Sequence, residues 1–257
     1  MRADVYLYTF GYVKSRQKAK TLIESGYVFL NGEKIIKPAI ELDENLEYEI
    51  SIKDPCPYVS RGGLKLEKIL DTYKIDVNGK IAIDIGASTG GFTHCLLIYG
   101  ADKVYAVDSG TNQLDEALLD NEKVISIENY NARSINISDI GEYADIITVD
   151  VSFISQTYIL YPAVKLLKDE GIYIGLIKPQ FEVGREKIGK GGIVKDKKSR
   201  LFAVNKVIDC AKACDLKCTG FIKSPIEGGD GNVEFVAIFS KNGKEINEEY
   251  IRKTVLN

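Results

Sequence analysis

A chain of 257 residues with 34 basic and 37 acidic side chains has room for one large domain and a small one, and its formal charge of -3 gives no strong overall field. Any surface for nucleic acid therefore has to be a local patch. Five cysteines without framework spacing argue against an oxidised secreted scaffold and for reduced thiols in the cytoplasm. No apolar signal segment follows Arg2 and Asp4, and the longest charge-free run, Val151 to Val164, is too short to span a bilayer, so no membrane role is expected.

The first fifty residues predict a small α+β domain. A short helix ending at Gly11 precedes a second that starts from Ser15 as N-cap and runs through Ala19, Leu22 and Ile23 to a stop at Gly26. Tyr27 to Leu30 and Lys34 to Ile36 flank Asn31-Gly32, a two-residue hairpin turn. Leu46, Tyr48, Ile50 and Ile52 alternate with polar residues as a further strand. Lys14, Arg16, Lys18 and Lys20 crowd the start of the second helix, a patch suited to phosphates but not to reading bases. The plainer reading is a solvated face, because Glu41, Asp43, Glu44, Glu47 and Glu49 cancel its charge locally. The Asp54-Pro55-Cys56-Pro57 break sets the boundary: a domain over residues 1–53, a linker over 54–60 and a second domain over 61–257.

From Ser60 onward helices and strands alternate. A helix is expected over Gly63 to Tyr73, then apolar strands at Ile81–Ile85, Val104–Val107, Val124–Ile127, Ile146–Val149 and Ile172–Ile177, with helical stretches after Gly91, Thr111 and Ser155. A long helix near Asp196–Cys214 and strands at Cys218–Lys223 and Val233–Phe239 complete the pattern. Short continuous apolar runs separated by helices predict a buried, mostly parallel sheet with right-handed crossovers, an α/β fold of Rossmann-like type with an antiparallel last strand.

Two groups of residues carry chemistry on this scaffold. Asp84 and the turn Gly86-Ala87-Ser88-Thr89-Gly90-Gly91, running into Phe92, close the first strand of the sheet; glycines there let a ligand approach the backbone, and the helix behind favours polar groups. The third turn position is Ser88, so the dinucleotide fingerprint is not met, and an ordinary tight turn is the alternative. Asp108, about twenty residues on at the end of the next strand, could grip two ribose hydroxyls, and Asn131 after the third strand could lie near a base. The second group is Lys65, Asp150, Lys178 and Glu234. Asp150 and Lys178 follow apolar strands at the sheet edge where open α/β folds bind ligands, the alternative being a structural ion pair. His94 stands alone, and Cys210, Cys214 and Cys218 fit neither zinc nor iron–sulfur spacing, so no metal is expected. The glycine- and charge-rich segment from Gly184 to Gly192 is either a loop over the site or a plain connector.

Ser60-Arg61-Gly62-Gly63-Leu64-Lys65-Leu66, Gly86 to Thr93, Asp150-Val151-Ser152-Phe153-Ile154-Ser155, Lys178-Pro179-Gln180-Phe181-Glu182 and Gly231-Asn232-Val233-Glu234, with Ser15-Arg16 and Asn31-Gly32, cover nearly the whole chain. On these stretches the sequence resembles the TlyA (hemolysin A-like) family, an S-four-like RNA-binding domain joined to an FtsJ-like methyltransferase. The resemblance implies methylation of a ribose 2′-hydroxyl of ribosomal RNA by S-adenosyl-L-methionine, with Lys65, Asp150, Lys178 and Glu234 as catalytic tetrad and the Gly86–Gly91 turn and Asp108 holding the cofactor. It implies a cytidine target on ribosomal subunits, and the little sequence ahead of Asp4 leans toward members acting on the large one. Arg61 is expected to join Lys14, Arg16, Lys18 and Lys20 in holding RNA, and the protein to work as a cytoplasmic monomer. His94 departs from the acidic residue that relatives often carry. Lys178 is expected to be the base that takes the hydroxyl proton, with Asp150 orienting it and Glu234 positioning Lys65 or the hydroxyl. The rivals are a methyltransferase for another RNA class, a membrane-active hemolysin and a catalytically silent assembly factor.

Overall fold

The computed structural model describes residues 1–13, 15–53, 56–228 and 231–257. Its residues form two compact units, Met1–Pro57 and Tyr58–Asn257. Lys14 of the expected basic patch, and Asp54 and Pro55 of the expected linker, lie outside the described residues.

In the first unit, α1 (Ala3–Thr9) and α2 (Arg16–Glu24) share a core with β1 (Val28–Leu30), β2 (Glu33–Ile35) and β3 (Ile50–Ile52), an antiparallel sheet in the order β2-β1-β3. Ser15 caps α2 as its position suggests, its hydroxyl accepting the Lys18 N–H at 3.1 Å. Asn31 (φ 49°) and Gly32 (φ 81°) both take the left-handed conformation that a tight two-residue hairpin requires. The last strand is shorter than the alternation from Leu46 implies. Asp43 folds the preceding segment into a turn, its carboxylate taking the Asn45 N–H, and Leu46 is left exposed. The buried Asp4 carboxylate is held by Arg2 and Arg16, each Nε at 2.8 Å.

The second unit contains α3 (Gly62–Tyr73), β4 (Ile81–Ile85), α4 (Gly91–Ile98), β5 (Lys103–Val107), α5 (Glu116–Leu119), β6 (Val124–Ile127), α6 (Ile137–Ile140), β7 (Ala144–Val149), α7 (Thr157–Val164), β8 (Leu167–Ile177), α8 (Pro179–Glu182), α9 (Lys197–Lys212), β9 (Lys217–Lys223), β10 (Phe235–Ser240) and α10 (Glu248–Leu256). The sheet runs β6-β5-β4-β7-β8-β10-β9; its first five strands are parallel, and β10 is antiparallel to both neighbours. Ile83, Ile85, Ile147 and Val149 from the central strands pack with Leu160, Val204, Val207 and Val255 from α7, α9 and α10 in one core. The chain steps outward from β4 to β6 on one side and from β7 onward on the other. The crevice at the carboxyl ends of β4 and β7 is therefore the switch point where such sheets bind ligands.

Several elements depart from expectation, among them the short helices α6 and α8, which the apolar pattern does not announce. β8 starts five residues before Ile172, through Lys168, Asp169 and Glu170, whose polarity hides the strand; Lys168 pairs with Asp145 of β7 at 2.9 Å and Asp169 with Lys241 at 2.6 Å. α10 is a helix that apolar periodicity did not announce, started by Asn247, whose side chain accepts the Glu249 N–H.

Candidate active site

Strand register brings the site together. Val107 pairs with Ile85, and Ile85 with Val149, so Asp108, Gly86 and Asp150, each one residue further along, emerge side by side. Ile177 pairs with Phe235 in antiparallel register, so Lys178, one residue after β8, and Glu234, one residue before β10, reach the same edge. Glycine is required at Gly86: its φ is +83°, and a Cβ there would stand 2.5 Å from the Asp150 carbonyl oxygen. Gly90 leaves space for Leu118, whose Cδ1 would lie 2.2 Å from an added Cβ.

Asp108 anchors the turn. Its Oδ2 accepts the Ser88 N–H at 2.8 Å and its Oδ1 the Gly110 N–H at 2.7 Å, which leaves acceptor capacity on both oxygens. A cavity of about 730 Å³ is lined by Gly86, Ser88, Asp108, Asn131, Arg133 and Asp150 among others. Asn131 also caps a short turn, its side-chain oxygen accepting the Arg133 N–H at 3.1 Å. A second cavity, about 470 Å³, is lined by Arg61, Lys65, Ala87, Thr89, Gly91, Phe92 and Lys178. The two share Gly86, Ser88, Asp150 and Ser152.

Lys65, Asp150 and Lys178 thus face one cavity, and Glu234 stands behind it. Glu234 is 2% exposed and lies 2.5 Å from the Lys65 ammonium, itself on the buried face of α3. Lys178 Nζ is 2.5 Å from Asp150 Oδ1, an ion pair whose angle is not that of a formed hydrogen bond, and it donates to Ser152 Oγ at 2.9 Å. Ser152 is a contact that sequence reasoning did not single out, although it lies two residues past Asp150 in the same strand-end loop. Phe153 follows with a left-handed backbone (φ 63°) and 92% exposure, its ring 5.3 Å from that of Phe181. A bulky side chain held in that conformation marks a constrained loop.

Asp84 is placed differently from its expected cofactor role, and His94, for which no site role is expected, is engaged within the fold. Asp84 lines neither cavity: it is fully buried beneath the turn, accepting the hydroxyls of Thr93 at 2.7 Å and Thr148 at 2.9 Å. Its position on β4, two residues before Gly86, points it into the sheet instead of the cleft. His94 has a partner in the chain, its Nδ1 accepting the Val59 N–H at 3.1 Å. Among the described residues no group of three or more His, Cys, Asp or Glu side chains could hold a metal ion.

Burial pushes the Asp84 carboxyl up to about 6 against the pull of its two threonine donors, and the nearby Asp150 charge adds to the rise. The folded state therefore holds this proton more tightly than the unfolded chain does, and stability falls as pH rises from about 4 to about 6. Across that window the wild type is expected to lose roughly 2–3 kcal/mol relative to Asp84→Asn, at about 1.4 kcal/mol per pH unit. Urea denaturation of both proteins at pH 4 and 7 measures the difference; parallel profiles would show that Asp84 does not titrate there.

An open sheet with an antiparallel final strand, a glycine turn at its switch point and a lysine-lined pocket beside it define a Rossmann-like methyltransferase. The model of the FtsJ-like methyltransferases matches residues 58–241 and that of the S4 domain residues 1–47. The chain belongs to the FtsJ-like methyltransferase family and, within it, to the TlyA group. It is 45% identical over 242 residues to Hemolysin A of Brachyspira hyodysenteriae, covering 93% of this chain and 99% of that one. It is 37% identical over 234 residues to the 16S/23S rRNA (cytidine-2′-O)-methyltransferase TlyA of Mycobacterium tuberculosis, covering 91% and 87%. A solved chain from Streptococcus thermophilus, described as a candidate hemolysin, matches with a TM-score of 0.80 and 40% identity over 100% of this chain and 94% of that one.

Proposed function

We propose that this enzyme transfers the methyl group of S-adenosylmethionine to the 2′-hydroxyl of a cytidine in ribosomal RNA, on the large subunit and with the small subunit as a second acceptor. The observation that carries the reading is the convergence of Lys65, Lys178 and Asp150 on a cavity that opens beside the glycine turn. The residues present fit the cofactor: Asp108 keeps acceptor capacity for two ribose hydroxyls, Gly86 leaves backbone uncovered, and Asn131 lines the far part of the cleft. When bound, S-adenosylmethionine supplies a methyl group already activated on a sulfonium.

What remains for the protein is to align the acceptor oxygen and remove its proton. Lys178 is the base, held toward the cavity by Asp150 and Ser152; to act it first releases one ammonium proton to solvent and works as the neutral amine. The proton of the acceptor hydroxyl would pass to the neutral Lys178 Nζ as the oxygen is methylated. Lys65, fixed from behind by Glu234, places a positive charge beside the oxygen as it becomes anionic. The exposed Phe153 ring, which lines the first cavity and lies beside the half-buried Phe181, offers a surface on which a base could stack, which suits an unpaired nucleotide.

Residues 1–53 supply the RNA-binding domain and 61–257 the methyltransferase, joined by 54–60. Arg16, Lys18 and Lys20 on α2 and Arg61 at the second cavity would contact phosphates. Arg16 gives its Nε to Asp4 and remains more than half exposed. The setting is the cytoplasm, with the chain acting as a monomer. The hemolysin reading is supported by a relative's name, but among the described residues no helix is long and apolar enough to cross a membrane.

The deciding experiment incubates the protein and labelled S-adenosylmethionine with separated ribosomal subunits, free ribosomal RNA and transfer RNA, then maps the label. Label on a cytidine ribose in ribosomal RNA is the expected outcome. Label on transfer RNA alone, or on a base instead of a ribose, would replace the proposal.

A further inference from the structure

Behind the Lys178–Asp150 pair lies a second carboxylate with every oxygen engaged. Glu182 closes α8, four residues after Lys178, and is 5% exposed. Its Oε1 accepts the Gln156 N–H at 2.7 Å, and its Oε2 accepts the Ser155 hydroxyl at 2.5 Å and the Lys206 ammonium from α9 at 3.1 Å. Lys206 Nζ also donates to Ser155 Oγ and to the Glu182 carbonyl, each at 3.1 Å. The Gln156 side chain donates in turn to the Leu176 carbonyl of β8 at 3.0 Å.

Ser155 and Gln156 end the loop that Asp150 begins, and Glu182 ends the turn that Lys178 begins. The two segments are tied at both ends: Lys178 to Asp150 and Ser152 in front, Glu182 to Ser155 and Gln156 behind. Stability alone is a poor reason for such a network, because buried ionic groups can often be replaced by apolar ones without loss. With both Glu182 oxygens engaged, although Gln156 Oε1 finds no partner, what the network does supply is a single geometry for the two segments. We infer that Glu182, braced by Lys206, is a positioning residue for methyl transfer that sets the separation and orientation of Lys178 and Asp150. The inference rests on the roles given to those two residues above.

The test uses the full chain, labelled S-adenosylmethionine and the ribosomal acceptor, comparing Glu182→Gln, Lys206→Met and Lys206→Arg with wild type. Lys168→Met, which breaks the pair with Asp145 near the opposite end of β8, is the control for loss of an ion pair as such. Glu182→Gln is expected to lower kcat by about 10- to 100-fold, the range for misplacing a reacting group by up to an ångström. KM and cofactor affinity should stay within about threefold, since binding is not what the network sets. Lys206→Met should follow in the same direction, Lys206→Arg should restore most of the rate, and Lys168→Met should leave kcat within about twofold. Normal turnover in both Glu182→Gln and Lys206→Met overturns the inference, as do parallel losses of kcat, cofactor affinity and melting temperature. Should Glu182→Gln fail to fold, the contrast between Lys206→Met and Lys206→Arg decides. If Lys178→Ala keeps its activity, the reading beneath this one has failed; if Lys178→Ala is inactive and Glu182→Gln is not, only the positioning role has.

Discussion

Lys178→Ala is expected to lower methyl transfer by about 10²- to 10⁴-fold, the contribution of a positioned general base, while cofactor affinity changes little. The side chain lines the second cavity and is not among the residues around Asp108. Lys178→Arg sharpens the test. Arginine keeps the positive charge opposite Asp150 but cannot give up its proton near neutral pH, so it preserves electrostatics and removes the base. If the lysine acts only by charge, Lys178→Arg retains most of the rate; if it is the base, both variants are inactive. The measurement is single-turnover transfer from labelled cofactor to ribosomal RNA, with binding followed separately by calorimetry. A Lys178→Ala enzyme turning over near the wild-type rate would leave the proton without its acceptor and end this assignment.

The parts of the molecule legible from sequence are those where one local rule decides the outcome. Ile81–Ile85 and Val124–Ile127 are observed with the bounds their apolar runs suggest; the first is a buried central strand, which admits little else, and the second an edge strand with Val124 and Ile127 half-buried and Ile125 exposed. Asn31-Gly32 and the Ser15 cap are equally local. The first five residues of β8 were hidden, since Lys168 and Asp169 are kept in the strand by ion pairs to Asp145 and Lys241, partners that no window along the chain can reveal. The same holds within the site. Strand ends indicated Asp150 and Lys178, yet the direction of Asp84 and the partner of His94 depend on Thr93, Thr148 and Val59 being folded around them. Glu234 could have been an edge charge; only the antiparallel pairing of β10 with β8 carries it behind Lys65.

The Lys65–Glu234 pair allows stability and chemistry to be separated. Glu234→Ala strands an ammonium that is almost wholly buried, and breaking a buried pair by removing one partner costs about 3–5 kcal/mol. Replacing both members by apolar residues of similar volume, as in Lys65→Met with Glu234→Met, removes the charges together, and such exchanges are often neutral or mildly stabilising. The double variant is therefore expected to unfold in urea within about 1 kcal/mol of wild type, against a loss of at least about 3 for Glu234→Ala. Its methyl transfer should nonetheless fall by roughly 10²- to 10³-fold, the cost of deleting one preorganised donor beside a developing oxyanion. Stability regained without activity is the signature of a pair retained for charge at the cavity. A double variant that is both stable and active would reduce Lys65 and Glu234 to a structural tie between α3 and the start of β10, leaving Lys178 and Asp150 to carry the reaction alone.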